Sequence, residues 1–141
     1  MDVTPGLILH VDDDEPVRVS VSMFLRAKGY RVISAASGIE ALRQVREGLC
    51  PDVLIVDFHL SPQCNGAEVA EQLRRTLSYA LPVIILTGDM TNARFPHIVE
   101  ALVWLTSKPL NPLLLLAALP NLIELSRTTR ILPSRSAPRT Q

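Results

Sequence analysis

The sequence predicts a doubly wound α/β domain, and three observations carry that expectation. Short apolar runs alternate along the chain with stretches of helical periodicity. The central runs are apolar on both faces, as strands buried inside a parallel sheet must be. Several of these runs close on polar or charged residues, and in such sheets ligands sit beyond the carboxyl ends of the strands.

The first run, "LILHV" (7–11), leads into an acidic stretch, Asp12 to Glu15. Val17, Val21, Phe24 and Leu25 then mark one face of a helix that stops near Gly29. "RVISA" (31–35) is the second strand. Ser37 followed by Glu40 is a capping-box signature for a helix with Ile39, Leu42 and Val45 on one face. "DVLIVDF" (52–58) is the third strand; Asn65 caps the helix after it, which carries Val69, Leu73 and Leu77. "PVIILT" (82–87) and "LVWLT" (102–106) are the fourth and fifth strands, with a short fourth helix expected between Thr91 and Ala101. Asn111 and Pro112 open a fifth helix, in which Pro120 predicts a kink or break near Leu116. Its leucines point in every direction, so one or two should face outward.

Composition bounds the function. The 141 residues suit one domain, with residues 1–126 expected to fold and 127–141, basic and proline-containing, expected as a disordered tail. The formal net charge is zero, which gives no electrostatic case for DNA or a membrane surface as partner. No basic start precedes an apolar segment, and the longest apolar stretch falls short of the roughly 20 residues of a membrane span. Cys50 and Cys64 have no metal-type spacing. A reduced, cytoplasmic protein is the simplest reading.

The strand ends converge on one rim: Asp12 and Asp13, Asp57, Thr87, and Lys108 after the fifth strand. Each has an ordinary reading alone, as loop, cap, turn or exposed lysine. Together they suggest more. Three carboxylates this close need a counter-charge, and an all-oxygen cluster suits Mg²⁺. Asp57 could then accept a phosphoryl group as nucleophile, with Thr87 bonding a phosphoryl oxygen and Lys108 reaching the same group.

"VDDDEP", "VLIVDFHL", "VIILTGD" and "SKPL" resemble the response-regulator receiver domain of two-component signalling, over residues 5 to about 125. The details after Thr87 look most like receivers of hybrid sensor kinases. The resemblance implies a flavodoxin-like five-stranded parallel sheet in order 2-1-3-4-5 with five helices. It implies phosphorylation of Asp57 by a sensor histidine kinase. Mg²⁺ would be held directly by Asp13, Asp57 and the His59 backbone carbonyl, with Asp12 acting largely through water. Thr87 and Lys108 would contact the phosphoryl group, and Lys108–Pro109 would often be cis. The implied protein is a single-domain regulator, not an enzyme beyond assisting its own phosphorylation and dephosphorylation. It would dock to a protein target and could dimerise through helix four, strand five and helix five. Three features depart from the family pattern: a longer "HLSPQCNG" loop, Gly88 and Asp89 after the threonine, and Leu105 where an aromatic switch residue usually stands, with Trp104 one place earlier.

Three other readings compete. A phosphorylation-independent interaction module would expect Asp57 or Lys108 to be missing, and both are present. A haloacid-dehalogenase-type hydrolase wants a second Asp two places after the nucleophile, where His59 stands. A nucleotide-binding enzyme would want a glycine-rich first loop, which "VDDDEPV" is not.

Overall fold

The structure, a computed structural model, describes residues 4–62, 64–88, 97–100 and 102–131. Five strands lie parallel: β1 (Leu7–Val11), β2 (Arg31–Ala35), β3 (Val53–Asp57), β4 (Val83–Thr87) and β6 (Val103–Ser107). They stand in the expected order, β2-β1-β3-β4-β6. The four described helices are α1 (Glu15–Ala27), α2 (Gly38–Arg46), α3 (Gly66–Thr76) and α4 (Pro112–Ile131).

Alternation along the strands builds two cores. Leu9, Val11, Leu54, Val56, Val83 and Ile85 meet α2 and α3 on one face. Ile8, Val32, Val53, Ile55, Ile84 and Leu86 meet α1 and α4 on the other. β3 and β4 are buried along their whole length, which is why they read as continuous apolar runs.

The caps follow the sequence. Asp14 accepts from the Val17 amide at the start of α1, and Ser37 from Glu40 at the start of α2. The Glu40 carboxylate reaches back to the Ala36 amide, one residue before the cap, so this box closes differently from the expected form. The complete reciprocal box is at α3, between Asn65 and Glu68. Gly29 and Gly48, just beyond α1 and α2, have φ of 97° and 114°, a left-handed turn that side chains disfavour. Ile39, expected on the inner face of α2, is 81% exposed; Ala41 and Val45 are the buried residues there.

Three expectations are corrected. The first is the fourth helix. Residues 91–96 and 101 lie outside the described residues, but His97–Glu100 is a strand, β5, antiparallel to β6 at the sheet edge. Adjacent β-branched residues, Ile98 and Val99, favour extended backbone. The chain returns through Leu102, whose φ of 61° is an uncommon conformation for a bulky residue.

The second is the break at Pro120. α4 is continuous through it. Pro120 is exposed, so water can reach the carbonyl that its missing N–H leaves free, while Leu115, Leu119, Leu122 and Ile123 anchor the helix on the sheet. The outward leucines are Leu113, Leu114 and Leu125.

The third is the limit of the folded chain. α4 runs past Ser126 to Ile131, because its end is tied to the sheet. Arg127 and Arg130 both bond the buried carboxylate of Asp52. Thr129 Oγ accepts from the Ala80 amide at 3.2 Å. These residues were expected to begin a disordered tail; they hold part of the fold together instead. Residues 132–141 lie outside the described residues.

Candidate functional site

β1 and β3 pair in parallel with Val11 opposite Val56, so the residues that follow them emerge side by side at the carboxyl rim. Ligand-capable oxygens of Asp12, Asp13 and Asp57 all lie within 4.8 Å of one another. Asp12 and Asp57 are buried and Asp13 is exposed. Asp12 Oδ1 accepts from the Asp14 amide at 2.9 Å. Its Oδ2 is buried with no hydrogen-bond partner among the described residues. An acceptor in that position, inside a cluster of acceptors, suits a hard cation. The donor set therefore fits Mg²⁺.

The electrostatics point the same way. Burial pushes the Asp12 carboxyl above the usual carboxylate range; the Asp14 amide and the Lys108 charge work against this, and the Asp57 and Asp13 charges add to it. Lys108 Nζ bonds Asp57 Oδ2 at 2.9 Å. Burial opposes the ammonium charge, but the bond to Asp57 and the charges of Asp57, Asp12 and Asp13 outweigh it and raise the Lys108 pKa. The lysine is held there by backbone: its amide donates to the Thr87 carbonyl at 2.8 Å. The Lys108–Pro109 bond is cis.

Thr87 closes β4 and is buried; Asp57 pairs in register with its neighbour Leu86, which places the threonine at the same rim. His59 is exposed, and its amide donates to Asp57 Oδ1 at 3.3 Å. Gly66 lies hard against Asp57: a Cβ there would collide with the Asp57 carbonyl oxygen and crowd Phe58 Cα. Its amide donates to the Phe58 carbonyl at 2.7 Å, closing the loop whose extra length the sequence shows. Gln63, in that loop, and Asp89 lie outside the described residues.

Trp104 and Leu105 point to opposite faces of β6. Leu105 packs with the α2–α3 core and Trp104 with the α1–α4 core. The tryptophan therefore does not replace the missing aromatic at Leu105.

Two features escaped the sequence reading. His10 is fully buried, with both ring nitrogens unpartnered among the described residues. Burial lowers its pKa to about 4, helped by Arg18 and opposed by Asp57, so it is neutral at pH 7. Asp52 is the other. It looked like the polar start of a strand, and its partners lie 75 and 78 residues away, where no local pattern announces them.

Comparison with known proteins decides the family. The family model described as the response regulator receiver domain matches residues 8–120. The chain belongs to that family. Receiver domains interact with sensor histidine kinases and generally bind Mg²⁺ at an acidic pocket. Among curated proteins it is similar to the transcriptional regulatory protein AfsQ1 of Streptomyces coelicolor. They are 40% identical over 84 residues, which is 60% of this chain and 35% of that protein. It is 44% identical to the response regulator MprA of Mycobacterium leprae over 81 residues, 57% of this chain and 34% of that one. The chain thus spans about a third of the length of these relatives. Among solved structures, the receiver domain from the hybrid histidine kinase CckA superposes with a TM-score of 0.69 at 30% identity, covering 84% of this chain and 99% of that one. The chemotaxis response regulator CheY4 of Vibrio cholerae gives 0.67 at 31% identity, again covering 84% and 99%.

The expectation of no DNA partner needs narrowing: one relative is a transcriptional regulator, so that expectation applies to this receiver and not to such a protein as a whole. No helix among the described residues is long and apolar enough to cross a membrane.

Gly66→Ala is expected to push the 58–66 loop away from Asp57. It should lower stability by about 1–3 kcal/mol and weaken Mg²⁺ binding. Thermal melts and a Mg²⁺ titration check both effects.

Proposed function

We propose that this receiver accepts a phosphoryl group on Asp57 from the phosphohistidine of a sensor histidine kinase, with Mg²⁺ bound, and signals by docking to a protein partner in the cytoplasm. The observation that carries the reading is the joint placement of Asp12, Asp13 and Asp57 with Lys108 at the carboxyl rim.

In the transfer, an Asp57 carboxylate oxygen attacks phosphorus. An O–P bond forms as the P–N bond to the imidazole breaks, and the electron pair returns to the ring nitrogen. Lys108 holds Oδ2, which leaves Oδ1, bonded among the described residues only to the His59 amide at 3.3 Å, as the attacking atom. The Lys108 ammonium then neutralises phosphoryl charge as a point cation. The Thr87 hydroxyl donates to a phosphoryl oxygen. Asp13, Asp57 and the His59 carbonyl would hold Mg²⁺ directly and Asp12 would hold it through water, and the ion would supply charge that offsets the phosphoryl oxygens. No separate substrate is turned over; the same groups assist gain and loss of the phosphoryl group, so the protein is not an enzyme in the ordinary sense.

With Leu105 in the usual aromatic position, the signal passes through packing at α4 rather than a ring flip. Leu113, Leu114 and Leu125 are exposed, and no charged residue lies between Asn111 and Asn121. Depletion of charge around exposed apolar side chains is what an interface core requires. The proposed occupant is a second copy of the chain. Leu115 and Leu122 face the core and would report on folding instead.

Incubation with Mg²⁺ and an autophosphorylated kinase should place acid-labile phosphate on Asp57, located by mass spectrometry, and none on Asp57→Asn. Equal labelling of the variant would remove Asp57 from its role; wild type that takes up none would favour the phosphorylation-independent module. Light scattering should show a dimer that Leu113→Glu and Leu125→Glu disrupt, and a wild type that stays monomeric at high concentration would exclude it.

A further inference from the structure

β3 has an aspartate at each end, Asp52 just before Val53 and Asp57 at its close. Each holds one end of the segment that contains α4. At the carboxyl rim, Lys108, four residues before the helix begins, bonds Asp57. At the opposite pole, Arg127 and Arg130 in its last turns bond Asp52.

The two attachments are built differently, although both carboxylates are buried. Asp57 is gripped by one ammonium on a flexible stem. Asp52 is held by two guanidinium groups and also accepts from the Leu7 amide at 2.8 Å. Arg127 donates to the Pro5 carbonyl and Arg130 to the Pro51 carbonyl. The Arg130 guanidinium lies 4.1 Å from the centre of the Tyr79 ring, and the Tyr79 hydroxyl donates to Pro51. Such planar, multiply bonded guanidinium contacts lose less freedom per bond than a lysine does.

Between these ends, α4 borders an apolar groove of about 460 Å³. Its walls include Ile84 and Trp104 from the sheet and Leu110, Leu114, Ala118 and Leu125 from the helix side. The groove lies along the helix from its amino end, so a tilt of that end changes its width.

We propose that α4 is a strut pinned at its carboxyl end by Asp52, and that a change at Asp57 moves only its amino end, opening or closing the groove at Trp104. The inference rests on Asp57 being the modified residue. A phosphoryl group there gives Lys108 new oxygens to bond and alters the tether. The Asp52 end stays fixed, so displacement grows along a helix of about 30 Å towards Leu110.

Hydrogen exchange of the full chain, with and without Mg²⁺ and fluoroberyllate as phosphoryl mimic, tests it. In wild type, exchange at residues 113–118 should change by about tenfold while residues 126–131 stay constant. In Asp52→Asn, or in Arg127→Ala should that variant fail to fold, the change should spread to residues 126–131. Trp104 is the one tryptophan in the chain, so its fluorescence reports the groove independently. Lys108→Ala cuts the tether without any phosphoryl group. It should loosen residues 113–118 alone, which keeps the test valid if Asp57 proves not to be the acceptor. Equal change at both ends of α4 in wild type or in Lys108→Ala would overturn the strut. So would a response in the latch variants still confined to residues 113–118.

Discussion

The organising constraint is the repulsion among three carboxylates at one rim. Asp12, Asp13 and Asp57 bring oxygens within 4.8 Å of one another, and two of the three residues are buried. Burial first, and then the Asp57 and Asp13 charges, push the Asp12 carboxyl above the usual range against the pull of the Asp14 amide and Lys108. Among the described residues Lys108 bonds Asp57 and Arg18 bonds the Asp12 carbonyl, while Asp12 Oδ2 has no partner. The arrangement is incomplete in the way a cation-binding site is incomplete. It also explains why so much of the fold converges there: the β1–β3 register, the Gly66 loop packed against Asp57, and the Lys108 amide bonded to Thr87.

A second constraint runs through the same strand. Asp52 at the far end of β3 is buried and fully paired, whereas Asp57 is buried and crowded. A buried ion pair is weak evidence for stability but good evidence for a fixed geometry. Here it fixes where α4 ends. The segment from Lys108 to the end of α4 therefore runs from the crowded carboxylate of Asp57 to the paired one of Asp52, and its apolar flank beside Trp104 lies between them.

The strands and the site were legible because they obey local rules. Apolar runs closed by Asp12, Asp57 and Thr87 need no tertiary information to be read, and the strand order followed from family resemblance. The Asn65–Glu68 box and the Asn111 cap are likewise local. What stayed hidden depends on distant partners. The helix expected before Ala101 is in part the strand His97–Glu100, whose extended form is set by pairing with β6. The end of α4 looked like a basic tail because nothing near Arg127 and Arg130 in sequence reveals Asp52. Ile39 fitted a helical stripe, yet it sits in the first turn of α2, at the margin of the packed face.

The central claim is that carboxylate crowding is relieved by a bound cation. Melting temperatures of wild type and Asp13→Asn, without metal and across a Mg²⁺ titration, test it most directly. Without metal, Asp13→Asn should melt above wild type, because one repulsive charge is gone. With Mg²⁺, wild type should gain about 2.7 kcal/mol at a hundredfold excess over its dissociation constant, and the variant should gain far less at the same concentration. A variant that melts below wild type without metal, and rises as much as wild type with it, would contradict the account.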